Sequence, residues 1–343
     1  MLTFENSGRV LRPAAALWMA IALLQSAHAQ TDRVYYVDGK NASGKITVIR
    51  PEGVQIKKGS STTTIRVDEI SRVLFQGTPS QLTQAVQFYR DAQYQSAIDE
   101  LAKIDAGSVS DPNIQAEIAF FDAASKAEMA VAGRGSREEA VRLLTQFVSK
   151  NRNSYHLYPT AELLGDLAMV TGGDANHYYN LLVRSGADSV KRRGAYLSGR
   201  ALAAQGKHDD AIKRYDYTLA AEAGTSQMAQ LHSLATAAKA ESLAAKGSVD
   251  DALALIKGLI AELDPNDPNT NGHIYNAFGA VHQASGNSSG ALLAYLRTHL
   301  MFAADPPTHA RALSELVKLW NEVGRADRSA ATRGLLKQLY PGY

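Results

Sequence analysis

Gly286-Asn287-Ser288-Ser289-Gly290 has the G-x-S-x-G spacing of a hydrolase nucleophile elbow, in which a tight turn after a strand lifts a serine hydroxyl towards an acyl carbon. The segment before it has helical periodicity, so the strand and sheet that the motif needs are missing, and a hydrolase using Ser288 is the least favoured reading. The nine histidines form no H-E-x-x-H. His273 and His282 are nine residues apart and His299 and His309 ten, not the three or four that would put two ligands on one helical face. Asp209-Asp210 and Asp250-Asp251 look like carboxylate pairs, but neighbours on a helix point apart, and acids at helix starts explain them better. No Walker loop and no G-x-G-x-x-G occurs. The absence of cysteine removes thiolate catalysis, zinc ribbons and disulfides. The expectation is a non-enzymatic protein with no catalytic, cofactor-binding or metal-binding residues.

The chain that must position any site has 343 residues, 20% of them charged and 45% hydrophobic. This is an ordinary globular composition, long enough for about two domains or one small domain and an array. With 36 Lys+Arg against 34 Asp+Glu there is no global field for nucleic acid, and no basic cluster beyond Lys57-Lys58 in the first part of the chain. Residues 1–29 read as a secretory signal: Arg9 and Arg12, then an apolar run from Ala14 to Leu24, then Ala27-His28-Ala29 as a peptidase site. The run is too short for a stop-transfer anchor of roughly 18–20 residues. The expected mature chain starts at Gln30 and is exported, periplasmic or secreted, with no transmembrane segment; an uncleaved anchor is the alternative.

From Asp32 to about Phe75 apolar residues alternate with polar ones, as in Val34/Tyr36, Ile46/Val48, Val54/Ile56 and Ile65/Val67. Turns at Asp38-Gly39, Ser43-Gly44, Glu52-Gly53 and Gly59-Ser60 divide them into four or five short antiparallel strands ending at Val73-Leu74-Phe75. The Gly-punctuated opening is similar to small SH3-like or Sm-like barrels. A module of about 45 residues buries little surface alone, so it is expected to lean on the first helix or on another copy.

After Gly77-Thr78-Pro79 the period becomes 3.6, and one signature recurs: Gly, five residues later Ala, then an aliphatic residue. It occurs at Gly135/Ala140, Gly206/Ala211, Gly247/Ala252 and Gly286/Ala291, with degenerate copies starting at Ala92, Gly172 and Gly324. The glycine ends one helix in a left-handed conformation and the alanine lets the next pack closely. In the best copy, from Arg192 to about Ala223, Gly199, Leu202, Ala211 and Tyr215 flank Gly206 at −7, −4, +5 and +9. Gly279, Gly286, Ala291 and Tyr295 repeat this spacing, as do Ala240, Gly247, Ala252 and Ile256 with isoleucine for the aromatic. Gly165 and Gly172 keep only the first half.

In these residues the chain resembles the tetratricopeptide repeat family over roughly residues 79–340. It departs from the pattern in lacking the early Trp and in copies mostly longer than the usual ~34 residues. The resemblance implies a mainly α fold: a right-handed superhelical α-solenoid of about seven helix pairs over residues 78–343, preceded by the small β domain of 30–77. A helical solenoid without regular curvature is the alternative.

Such an array presents the first helices of its pairs on a concave face. Arg193, Tyr196 and Arg200 share one helical face, and the family pattern places them in the groove. Carried copy by copy, it adds His273, Asn276 and Gln283, then Arg311, Lys318 and Asn321. This polar, basic-leaning groove suits the carboxylates and amides of an extended peptide, although solvated surface charge explains the same residues, and Lys191-Arg192-Arg193 is equally ambiguous. The expected function is an exported scaffold that binds another protein, of the cell envelope, with no nucleic acid and no cofactor. The competing reading is a structural array that self-associates through its β module.

Overall fold

The computed structural model describes residues 31–343; the expected export signal of residues 1–29 lies outside them. Five strands come first: β1 (Asp32–Tyr36), β2 (Asn41–Arg50), β3 (Gly53–Lys58), β4 (Ser61–Arg66) and β5 (Ile70–Leu74). They form one antiparallel sheet in the order β4-β3-β2-β1-β5, with a 3-10 turn over Val67–Glu69 before β5. The alternating residues Val34, Val54, Ile56, Ile65 and Val73 are its buried side. Asp32 ties the sheet across three segments, because its two carboxylate oxygens accept from Ile46 N (2.7 Å) and Gln76 N (2.8 Å). The sheet does lean on the helices: its buried residues share one core with Leu82, Ala85 and Val86 of α1 (Ser80–Arg90) and with residues further on.

Thirteen more helices follow in antiparallel pairs. They are α2 (Tyr94–Leu101), α3 (Pro112–Val131) with α4 (Arg137–Lys150), α5 (Leu157–Thr171) with α6 (Ala175–Val183), and α7 (Asp188–Ala204) with α8 (His208–Leu219). Then come α9 (Ser226–Ala245) with α10 (Val249–Ala261), α11 (Pro268–Ala284) with α12 (Ser288–Met301), and α13 (Pro306–Glu322) with α14 (Ala326–Leu339). With α1/α2 these make the seven expected pairs of an α-solenoid. Starts are set by side-chain caps, as where Asp267 accepts from Thr270 N and Asp305 from Thr308 N. The repeated glycine ends the first helix of a pair as expected: at Gly206, φ is +74°, and Lys207 N reaches back to Leu202 O at 2.9 Å.

Pairs pack by a small residue against an aromatic one. A Cβ added to Gly199 would stand 2.5 Å from the Tyr215 ring, and one added to Gly279 would stand 2.6 Å from the Tyr295 ring. Gly165 meets Tyr179 in the same way, so the copy that looked like half a repeat is complete, with the buried Ala175 and Tyr179 each two residues closer to the turn glycine than Ala211 and Tyr215 are to theirs. Tyr179, Tyr215 and Tyr295 are each buried, which makes them core residues and not a ligand box.

The array does not stay open. Tyr340–Tyr343, after α14, dock on the turn between α3 and α4: Gly342 N donates to Gly133 O (2.8 Å), Arg134 Nε to Leu339 O (2.6 Å) and Arg137 Nη2 to Gly342 O (2.9 Å). Ala132 packs there with Ala310, Leu313 and Tyr340. His299 and His309, too far apart in sequence for one helical face, also meet at this seam. His299 Nδ1 lies 2.8 Å from His309 Nε2, whose other nitrogen lies 2.8 Å from the Tyr340 hydroxyl. The helical pairs therefore close into a ring.

Candidate functional site

The helices that begin each pair face the middle of this ring, and their charged side chains pair across it. Arg193 on α7 binds Glu162 on α5, with Nε 3.1 Å from Oε1. Arg200 on α7 stands 3.7 Å from Asp166 on α5. Arg311 on α13 reaches past α11 to grip Glu241 on α9 with two hydrogen bonds, 3.1 and 2.7 Å long. Tyr196 is buried with its ring near both the Arg193 and Arg200 guanidiniums, 5.6 and 5.9 Å from its centroid. These arginines remain partly open to the interior; Arg193 keeps 38% of its side-chain surface.

One mouth of the ring is a cavity of about 690 Å3. The β module roofs it with Val37, Val67 and Asp68, and the starts of α5, α7, α9 and α11 wall it, with Asp305 before α13. Two hydrogen bonds hold the roof: Tyr158 Oη donates to Glu52 (3.3 Å) and Ser189 Oγ donates to Asp68 (2.6 Å). Its lining joins the apolar Leu182, Met228, Leu231 and Leu234 to the Glu162–Arg193 pair, His273 and Asp305. Burial, then the nearby Arg200 and Arg311 charges, outweigh Asp305 and bring His273 down to about 4, so it faces the cavity as neutral imidazole. Glu128 on α3 is pushed up to about 8 by burial and then by Asp166, Asp305 and Glu162.

The expected groove residues fall into four groups. Arg193 and His273 line the cavity, while Tyr196, Arg200 and Arg311 belong to the interior network. Gln283, Lys318 and Asn321 lie towards the other ends of α11 and α13. There Gln283 accepts from Tyr295 Oη (2.8 Å) and donates to Glu315, and Lys318 pairs with the same Glu315. Asn276 offers no contact surface: it is buried, and its amide donates to Thr308 O (2.9 Å), joining α11 to α13. The basic-leaning groove is corrected as well, because each of its arginines already holds a carboxylate. Arg192, ambiguous in sequence, binds Asp188 and lies over the Tyr217 ring.

Ser288 is the first residue of α12, after a helical turn and not a strand, and its hydroxyl points to Glu322 (3.4 Å). Asp209-Asp210 and Asp250-Asp251 sit in the first turns of α8 and α10. Among the described residues no cluster of three His, Cys, Asp or Glu could hold a metal ion, and no helix is long and apolar enough to cross a membrane.

The acidic half of the network was missed, yet it carried a signal. Arg200 directly follows the small residue Gly199, and the residues directly after Gly165 and Ala240 are Asp166 and Glu241. Carrying the groove positions onto those two copies as well would have found both acids. Glu128, Asp305 and the roof residues have no such repeat position.

No known family signature and no curated protein matches the chain. Solved structures do. A crystal structure of Rap protein in complex with competence and sporulation factor is similar over 76% of this chain and 73% of its own, at 13% identity and a TM-score of 0.52. A tetratricopeptide repeat protein from Parabacteroides merdae is similar over 76% of this chain and 96% of its own, at 15% identity and a TM-score of 0.49. The α-solenoid of helix pairs is thus a fold similar to that of the Rap structure.

Proposed function

We propose that this protein is an exported, non-enzymatic scaffold that binds a segment of another protein, one of the cell envelope, in the ring interior. The observation that carries the reading is the roofed cavity, which opens onto the charged network and is built jointly by the β module and four pairs. A preformed, mixed-polarity recess of this size is the usual form of a binding site. That the similar Rap structure is a complex with competence and sporulation factor lends it support. The reading takes residues 1–29 as the export signal, 30–77 as the β module and 78–343 as the repeat array. The meander with its 3-10 turn before β5 is consistent with an SH3-like module. Arg193 and His273 are the predicted groove residues that would meet the partner. A photo-crosslinker at Gln230, on the cavity wall, should capture a partner from an envelope extract, and one at Lys257, on the outer helix α10, should not. Equal capture at both positions, or none at either, would sink the reading.

A second reading rests on β4, an edge strand whose residues are exposed except Ile65. Self-association through that edge would be lost in a Thr62→Lys/Thr64→Lys variant, read by sedimentation. Because the sheet shares its core with α1, deletion of the whole module would unfold more than an interface.

A further inference from the structure

The closing seam carries titratable side chains that take no part in the cavity or in the interior network. His299 of α12, His309 of α13 and Tyr340 after α14 come from three segments and form one hydrogen-bonded relay. The two imidazoles are stacked, 6° from parallel, and touch through one nitrogen each. Tyr340, only 4% exposed, is also where the ring closes. The Arg134 guanidinium of the α3–α4 turn lies over its ring at 4.9 Å and donates to Leu339 O, the carbonyl just before it.

The relay has room for a limited number of protons. With both imidazoles neutral, the Tyr340 hydroxyl donates to His309 Nδ1, and His309 Nε2 donates to His299 Nδ1. A first added proton fits: on His309 Nδ1 it reverses one contact, and the phenol oxygen accepts. A second does not. Its place is His299 Nδ1, where it would set N–H against N–H across 2.8 Å and two like charges side by side. The surroundings add to the repulsion. Arg134 and Arg137 reach in from the α3–α4 turn, and among the described residues no carboxylate stands within ion-pair distance of either imidazole. Asp305, before α13, acts on the Tyr340 hydroxyl, while Tyr343, the tail's other phenol, is acted on by Arg311, Glu315 and Lys318. Burial lowers both imidazoles, and the His299 and Arg134 charges lower His309 further.

We infer that this relay is an acid-operated latch: the second proton on the His299–His309 pair parts it, frees Tyr340 from the α3–α4 turn and opens the ring while the helix pairs stay folded. The open seam takes both protons at ordinary imidazole values and the closed seam does not, so a fall in pH below about 6.5 favours the open form. Little apolar surface opposes the change, since the patch at the seam is Ala132 with Ala310, Leu313 and Tyr340. An open ring presents its inward faces to solvent along their length, which a closed ring does only at its mouths. The latch is independent of the scaffold reading, because it acts whether or not a partner binds beneath the β module.

The test uses the full chain, whose lack of cysteine confines spin labels to two introduced sites, Gln146→Cys on α4 and Gln338→Cys on α14, both exposed. Pulsed electron resonance should give one short distance at pH 7.5. Between pH 6.5 and 4.5 a longer one should replace it, equal to that of a Tyr340→Ala variant at pH 7.5. Helix content by circular dichroism should stay constant, and neutralisation should restore the short distance. His299→Gln offers an oxygen to His309 but takes no proton, so it should open at a pH lower by about one unit or more. His309→Gln should do the same, and it decides the matter should His299→Gln fail to fold. A short distance kept until helix content falls, the same opening pH in parent and variants, or a Tyr340→Ala ring closed at pH 7.5 would overturn the inference. Such a failure would leave the crosslinking result at Gln230 untouched, so the two readings fail separately.

Discussion

Two kinds of seam hold this ring, and they are built differently. Within the pairs centred on Gly165, Gly199 and Gly279, a glycine on the first helix admits a tyrosine ring from the second, 14 to 16 residues further on. Where the ring closes, residues separated by 205 positions meet through backbone and arginine hydrogen bonds and a His-His-Tyr chain. The first seam is apolar, dense and local; the second is a small apolar patch with polar contacts around it. Close packing tolerates little change in volume, whereas a polar latch can open while each pair beside it keeps its own core.

The largest effect should come from the packed seam. Tyr215→Ala removes a fully buried ring and is expected to cost about 3–5 kcal/mol in urea unfolding. Gly199→Ala, at the same contact, should cost about 1–3 kcal/mol by overpacking. The double variant should cost less than the two singles added together, because the new methyl then meets a void. Strict additivity would mean that the two residues do not form one seam.

At the closing seam, Tyr340→Ala should cost less in global stability and change shape instead. The radius of gyration in solution scattering should rise as the ring opens, while helix content by circular dichroism stays constant. Unchanged scattering would show that the ring is held by something other than these contacts.

The pH response should separate the seam from the interior. His309 is brought down to about 4 by burial, then by His299 and Arg134, from an ordinary value of 6.5. The unfolded chain then binds more protons than the folded one between these values, so stability is lost as pH falls from 6.5 towards 4. His273, also at about 4, acts in the same direction. Glu128 acts the opposite way: with its value raised from 4.5 to about 8, the folded chain holds the extra proton, and stability is lost as pH rises through that window. Glu128→Gln should therefore melt higher than the parent at pH 8.5 and close to it at pH 5, whereas His309→Gln should flatten the acid side. Parallel curves for parent and variants would remove both groups from the balance.

The smallest expected effect is at Ala92, the degenerate copy of the turn glycine, held at φ +55°. Ala92→Gly should stabilise the first pair by up to about 1 kcal/mol, seen as a small rise in melting temperature.

Much of the fold was legible because it is local. A period of two and then of 3.6 separated the sheet from the helices, and Gly206, Ala211 and Tyr215 announced a pair through spacings of under 20 residues. Helical phase put Arg193 and Arg200 on one face, and it was the resemblance to the repeat family, carried over to Arg311, that turned that face inward. What they would face there was not legible. Asn276 shares their phase yet lies under α13, and Arg311 meets Glu241 across an intervening helix.

Residue spacing by itself determined the strands, the helix pairs, their turns and the small-to-aromatic contacts, because each depends on neighbours within one or two helices. Only the tertiary structure decided that the array closes, that the β module roofs its mouth, and that Arg311 meets Glu241 across an intervening helix. Those outcomes depend on the summed small rotations of successive pairs, which no single pair encodes and which bring together side chains that have no fixed separation in the sequence.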